Sequence, residues 1–352
     1  MIRSLLFASL ATFMLTFPSV AVSQDTATPL SSVDMQSFRV QPLTLADGKV
    51  GQLVTFDSRS PVDFAPMLRG EYGPVVTLNA QLFRPLVRAK KVPTVILVPG
   101  SANIGPHHLL QAEALVKSGI AVLIIDPFSG RGLTNSVSDQ YQFSWAASVY
   151  DVGAAAKYLR SREDIDGTRL GALGGSRGGT AVMMAAYQPI SKKLFGKTKG
   201  LKFVVAGYPW CGTQFRSSRL APETNLLVMS GDKDDWVSVQ QCQAATNALI
   251  ATRGKAEMFL VKDGLHAFDR GDVAPRRIDQ AVTSTTFPIV YMDDAGQYFD
   301  FYTNTVDPSL VGADLVRRSV DGGFTHSGVT IGSTGDQARH YVEKLARFLS
   351  NL

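Results

Sequence analysis

Apolar positions along the chain follow two regimes. Near the start they alternate with polar residues at Val40–Leu45, Val50–Phe56 and Val75–Phe83, with Gly- and Pro-containing turns between. A period of two predicts half-buried strands, and the turns predict antiparallel pairing. The pattern then changes to short, continuous apolar runs at Thr94–Val98, Ala121–Ile125, Arg169–Leu173, Phe203–Ala206, Leu226–Met229 and Met258–Val261. Between these runs, Leu109–Lys117, Ala146–Leu159, Gly179–Tyr187 and Val239–Thr252 carry the helical period, and a last helix is predicted from Asp336 to Leu349. Strands that are apolar throughout are covered on both faces. The expected class is therefore α/β, a mostly parallel central sheet with helices on each side.

Three segments stand outside this alternation. The first begins with Arg3, continues as an apolar run from Leu5 to Phe17 and ends at Ala21-Val-Ser23. That order predicts a secretory signal peptide over residues 1–23, cut near Ser23. The apolar run is too short for a roughly 30 Å hydrocarbon core. Residues 24–36 are polar and aperiodic and read as a flexible arm. One domain is then expected over 37–352. Within it, a Gly-, Asp- and aromatic-rich stretch at 269–335 is too long for an ordinary connection and reads as an elaboration. It either walls a site or extends an edge of the sheet.

Composition narrows the function classes. The 352 residues are 45% hydrophobic and 18% charged, which suits a globular chain. The net charge of +5 is diffuse, with no basic run beyond clusters such as Arg88-Ala-Lys-Lys91, so no nucleic-acid surface is expected. No run after the leader is long and apolar enough to span a bilayer, so no stable membrane insertion is expected once the leader is removed. Two cysteines are too few for a disulfide scaffold but enough for one bridge. No His/Cys cluster has metal-ligand spacing, and no cofactor is implied.

The candidate chemistry sits after the run Arg169–Leu173. Gly174, Ser176 and Gly178 form G-x-S-x-G between a predicted strand and a predicted helix. A sharp strand-to-helix turn holds its central residue at strained backbone angles, so its neighbours must be small. The turn would lift the Ser176 hydroxyl above the sheet edge and aim the helix N-terminus and the Arg177 N–H at a reacting carbonyl oxygen. Serine needs a base and an orienting acid, which follow it in chain order in this kind of site. Of His266, His326 and His340, only His266 directly follows a predicted strand, at the sheet end where ligands bind. Three carboxylates, Asp232, Asp234 and Asp235, crowd the end of the preceding strand, and position alone does not choose among them.

Together these segments resemble the dienelactone hydrolase family of α/β-hydrolases. That family's acid stands in a G-x-x-D-x-x-V segment, matched by Gly231, Asp234 and Val237, and its histidine in G-x-H-x-F, matched by Gly264, His266 and Phe268. The DPFSGRG segment from Asp126 is similar as well, so the resemblance covers roughly Val75 to Arg270. It implies an α/β-hydrolase fold and Asp234 as the acid. The chain departs from the best-known members in two ways. Ser176 stands where they carry cysteine, and the loop PGSANIGPHH after Thr94–Val98 lacks their glutamate.

The reading that follows is a serine hydrolase acting on a small-molecule ester or lactone. The second oxyanion donor is expected at the Ser101 N–H, with Ala102 next best. His107 and His108 either line the entrance or, as favoured here, begin a helix facing solvent. The resemblance puts substrate-anion binding at or near Arg131 and Arg270, against structural ion pairs to Asp126 or Asp151. Trp210 and Trp236 flank two strand ends and form either an apolar wall or ordinary packing. Cys211 and Cys242 follow strands that are neighbours in this fold, and a bridge between them would pin the loop carrying Asp234. The rivals are a peptidase or amidase using the same residues and a silent hydrolase fold used for binding.

Overall fold

The computed structural model describes residues 33–351 except Arg88 and Thr198. The expected leader and most of the expected arm lie outside the described residues. The elements in chain order are α1 (Met35–Val40), β1 (Gln52–Arg59), α2 (Phe64–Arg69), β2 (Val75–Phe83), β3 (Val92–Val98), α3 (Pro106–Lys117) and β4 (Ala121–Asp126). There follow α4 (Trp145–Arg160), β5 (Ile165–Gly175), α5 (Arg177–Ala186), α6 (Gln188–Phe195), β6 (Phe203–Gly207), β7 (Thr213–Phe215) and β8 (Asn225–Gly231). The last are α7 (Val239–Ala251), β9 (Lys255–Val261), β10 (Arg276–Thr283), β11 (Val290–Met292), α8 (Gly312–Asp321), β12 (His326–Ile331) and α9 (Gln337–Ser350).

Eight strands form the central sheet in the order β1-β2-β4-β3-β5-β6-β8-β9. The β1–β2 and β2–β4 pairs are antiparallel and all the others parallel. The apolar runs become strands because each feeds two cores at once. In β3, Ile96 and Val98 join one buried cluster with α4 and α5, while Val95 and Leu97 join another with α3 and α9. A side chain alternates faces at every residue, so a strand covered on both sides must be apolar at every position.

One expected strand is not there. Val40–Leu45 contributes only the end of α1 and an isolated bridge between Thr44 and Val50. Asp34 caps α1, its side chain accepting from the Gln36 N–H, and Phe38 is buried beneath. Gln81, fully buried on β2, donates to the carbonyls of Phe38 and Gln41 and accepts from the Leu43 N–H. A side chain thus takes the backbone groups that a ladder would have paired.

The stretch 269–335 holds β10, β11, α8 and β12, with β10 and β12 forming an antiparallel pair. Several attachments tie it to the rest of the domain. β11 pairs in parallel with β7. The buried Asp63 accepts from the Tyr298 hydroxyl (2.7 Å) and the Gly312 N–H (2.6 Å). Both carboxylate oxygens of Asp235 accept from the Thr330 N–H (2.8 and 3.1 Å).

Cys211 and Cys242 form a disulfide linking the segment after β6 to α7, with 31 residues of separation. Both cysteines lie in the larger apolar cluster. Among the described residues no helix is long and apolar enough to cross a membrane. A bridge over a loop of this length removes denatured-state freedom worth about 2–4 kcal/mol. The double variant Cys211→Ser/Cys242→Ser should therefore lower the urea midpoint by that free energy. An unchanged midpoint would show that the bridge adds nothing to stability.

Candidate active site

Between β5 and α5 the chain reverses at a single residue. Ser176 has φ 54° and ψ −122°, a conformation costing a non-glycine residue about 1–3 kcal/mol. The surroundings hold it there. A Cβ on Gly178 would stand 2.1 Å from the Val98 carbonyl oxygen, and one on Gly174 would stand 2.5 Å from the Gly178 carbonyl carbon. Only glycine lets the first turn of α5 come down onto the end of β3. The Ser176 N–H is bound to the Gly207 carbonyl (2.9 Å), which ties the turn to β6.

His266 follows β9 and Asp234 follows β8, so both arrive at the same sheet end as Ser176. His266 Nε2 lies 2.9 Å from Ser176 Oγ, and Nδ1 lies 2.8 Å from Asp234 Oδ2. With the ring proton on Nδ1, the imidazole donates to Asp234 and is free to accept from the serine hydroxyl. The other Asp234 oxygen accepts from the N–H groups of Trp236 (2.9 Å) and Val237 (3.0 Å), so the carboxylate has its orientation set. Both side chains are buried, at 2% and 0% exposure. His326 and His340 are exposed, on β12 and α9. Asp235 turns the other way, to Thr330.

Gly100 packs against this turn, and its ideal Cβ would lie 3.2 Å from Ser176 Cβ. Among the described residues, neither the Ser101 N–H nor the Arg177 N–H donates to a protein acceptor. Both residues line the cavity that contains Ser176. The loop at Ser101 is fixed by the Ser136 N–H bonded to its carbonyl (2.8 Å) and by its own hydroxyl bonded to Gln140 (2.8 Å).

That cavity measures about 280 Å³. The sheet side contributes Trp145, Trp210 and Trp236, and the elaboration contributes a wall from β10, β11 and α8 that includes Phe287, Val290 and Leu315. Stretch 269–335 therefore does border the serine. Trp145 and Trp210 stack at 5.2 Å with 20° between their planes. The Trp236 ring lies 4.7 Å from the His266 ring.

Several expected positions are not brought to the cavity. Arg131 pairs through two nitrogens with the fully buried Asp151 (2.9 Å each) and also donates to Ser60 and the Pro127 carbonyl. Its fork is consumed in holding β1 and α4 together, as the ion-pair alternative supposed. Arg270 pairs with Asp272 (3.0 Å) and lies against Gly105 at the start of α3, outside the cavity lining. His107 and His108 do begin α3, but they are buried, with ring centroids 3.8 Å apart, and do not face solvent. Burial, followed by the Arg270 cation, holds His108 down to about 3. Burial likewise keeps His107 well below its usual value.

Some neighbours of the site were not singled out in the sequence, among them Tyr208, Asp269 and the Arg177 side chain. Tyr208 packs edge-on to the His266 ring at 4.8 Å, and its hydroxyl donates to Asp269 (2.7 Å). Asp269 also accepts from Gln111 (2.7 Å), and burial pushes its carboxyl up to about 6. The Arg177 side chain is buried and donates to the Gln140, Phe143 and Ser144 carbonyls and to the Ser148 hydroxyl. Asp269 stands three residues past His266, a signal the sequence offered without a reason to choose it. Among the described residues no group of three His, Cys, Asp or Glu side chains could hold a metal ion.

Two outcomes follow from these placements. Arg131→Met strands a buried carboxylate and should cost about 3–5 kcal/mol in urea unfolding. It should leave KM unchanged, whereas a raised KM for acidic substrates alone would return Arg131 to substrate binding. For Asp269, the folded-state value near 6 stands above the usual 3.8. The folded state holds this proton more tightly, so the contribution is complete below about 3.8 and is lost as pH rises through 6. Asp269→Asn should remove that fall, on the order of 2–3 kcal/mol, from urea midpoints measured between pH 4 and 7. Identical pH slopes in both proteins would refute it.

The chain is similar to several known proteins. Residues 107–195, from α3 through α6, match the prolyl oligopeptidase family. A Bradyrhizobium sp protein named "Probable 2-oxo-3-(5-oxofuran-2-ylidene)propanoate lactonase" is 27% identical over 197 residues, covering 54% of this chain and 78% of its own. Solved structures that superpose include a dienelactone hydrolase-like promiscuous phosphotriesterase from metagenomic libraries. It is 14% identical, covers 78% of this chain and 96% of its own, and has a TM-score of 0.47. Another is a thermophilic esterase from Thermogutta terrifontis, 14% identical, covering 56% and 82%, with a TM-score of 0.43. The eight-stranded, mostly parallel sheet with helices on both faces is an α/β-hydrolase fold, and within it the chain is similar to a lactonase and, over 107–195, to the prolyl oligopeptidase family.

Proposed function

We propose that this chain is a secreted or periplasmic serine hydrolase that cleaves a carboxylic ester or lactone through an acyl-enzyme. The observation that carries this reading is the continuous line Asp234–His266–Ser176, at 2.8 and 2.9 Å, in a cavity also lined by Ser101 and Arg177, whose backbone N–H groups have no acceptor among the described residues. His266 Nε2 takes the hydroxyl proton as Ser176 Oγ bonds to the substrate carbonyl carbon. The Ser101 and Arg177 N–H groups receive the oxyanion, and their fixed position means no reorganisation is needed when charge develops. The imidazolium, stabilised by Asp234, gives its proton to the leaving oxygen as the C–O bond breaks. Water, deprotonated by the same imidazole, then releases the acid and regenerates the serine.

The leader read at residues 1–23 and the Cys211–Cys242 bridge, which suits an oxidising environment, support this compartment. The lactonase relative and the mostly apolar lining of the cavity favour an ester or lactone. The match of 107–195 to the prolyl oligopeptidase family keeps amide cleavage as a second reading. A panel containing peptide anilides beside aryl esters decides between them by kcat/KM.

A fluorophosphonate should label the wild-type protein and not Ser176→Ala, which should lose about 10⁴–10⁶-fold in kcat. Asp234→Ala should lose about 10⁴-fold. Asp235→Ala should lose far less, because that carboxylate serves Thr330 and not the imidazole. No labelling and no ester turnover, or the reverse ranking of the two aspartates, would overturn the assignment.

A further inference from the structure

We infer that the cavity beside Ser176 selects uncharged esters with a bulky, ring-sized acyl or alcohol group and excludes carboxylate-bearing ones. This rests on the hydrolase reading above and goes beyond it by assigning the substrate class.

The wall is apolar and aromatic, and it is held in place before any substrate arrives. The Trp145–Trp210 stack is fixed from behind, where the Trp210 N–H donates to Thr180 (2.8 Å) and the Thr180 hydroxyl donates to the Trp210 carbonyl (3.1 Å). The Trp236 Nε1–H donates to the Val282 carbonyl (3.2 Å), locking that indole to β10. Phe287 packs edge-on between Phe301 and Phe324, each at 5.4 Å. Aromatic surfaces lining a cavity of about 280 Å³ suit a ring or a branched alkyl group. A small acyl group such as acetyl would leave most of that surface uncovered.

Charge in the cavity disfavours an anion. Among the described residues that line it, only Arg177 is cationic, and its guanidinium is not available. It makes four hydrogen bonds to protein oxygens, and the rings of Phe143 and Trp145 lie 4.1 and 4.4 Å from its central carbon. Arg131 and Arg270 are paired elsewhere. The charged group exposed on the lining is Asp139, an anion. A substrate carboxylate entering here would lose its water and gain no cation. That loss is not repaid by the wall, so binding of the transition state suffers in full.

Two matched ester pairs test this, each differing by one para-carboxylate. 4-Nitrophenyl benzoate against mono(4-nitrophenyl) terephthalate probes the acyl side. Phenyl acetate against 4-acetoxybenzoate probes the alcohol side. The expected result is a preference for the neutral member of about 100-fold in kcat/KM in at least one pair. A preference of tenfold or more there, with no reversal in the other pair, supports the assignment. Ratios under tenfold in both pairs, or any preference for the carboxylate, overturn it. Phe287→Ala should lower the benzoate-to-acetate ratio for 4-nitrophenyl esters about tenfold, and Leu315→Ala does the same if the first variant fails to fold. An unchanged ratio in a folded variant overturns the placement of the ring in this cavity. No turnover of any ester, with no fluorophosphonate labelling, overturns the hydrolase reading itself and is distinct from turnover without discrimination.

Discussion

Helix α5 starts where it does because a carbonyl oxygen and a glycine share a space too small for one more carbon. The Val98 oxygen occupies the position that a Cβ on Gly178 would need, with 2.1 Å between them. This contact lets the first turn of α5 rest on the ends of β3 and β5. From it follow the forced backbone of Ser176, the height of its hydroxyl above the sheet and the approach of Gly100 from the neighbouring loop. Ser101 and Arg177 line the same cavity because the loop after β3 and the first turn of α5 are pressed together. An added methyl at this one point would displace all of these together, which is how an interior packed to crystal density transmits strain.

Around that turn the fold assigns adjacent residues to different tasks. Asp234 and Asp235 are consecutive, yet one orients an imidazole and the other holds β12 by the Thr330 N–H. The site and the elaboration that walls it are thus secured within one dipeptide. Asp63 performs the second anchoring from α2, buried and bonded to Tyr298 and Gly312. The disulfide holds α7, which directly follows the acid-bearing loop, to the segment after β6. Behind His266 the support is polar, with Tyr208, Asp269 and Gln111 joined by two hydrogen bonds beneath the ring. Preorganisation of this kind moves the cost of ordering into folding, so that little remains at the chemical step.

Most of the sheet was legible in the chain because its signal is local. A strand covered on both faces must be apolar at consecutive positions, and the six runs from Thr94–Val98 to Met258–Val261 each became one. The exception at Val40–Leu45 is instructive. Its alternation was real, but a buried glutamine on β2 satisfied the backbone groups that would have made a ladder. Alternation reports which side chains face inward, and it does not say what their peptide groups bond to.

The sequence alone determined the glycines of the turn, the order serine, acid, histidine, and the sheet end on which all three stand. These depend on backbone sterics and strand ends, which neighbouring residues set. Only the tertiary structure decided what the arginines do. Arg131 and Arg270 carry the same charge and reach in any unfolded chain, and a sequence cannot state which carboxylate each will meet. Asp151 and Asp272 took them, and the cavity was left to indoles and phenyl rings from segments far apart in the chain. A local motif can specify a turn, whereas the polarity of a pocket depends on which distant side chains remain unpaired once the chain has closed.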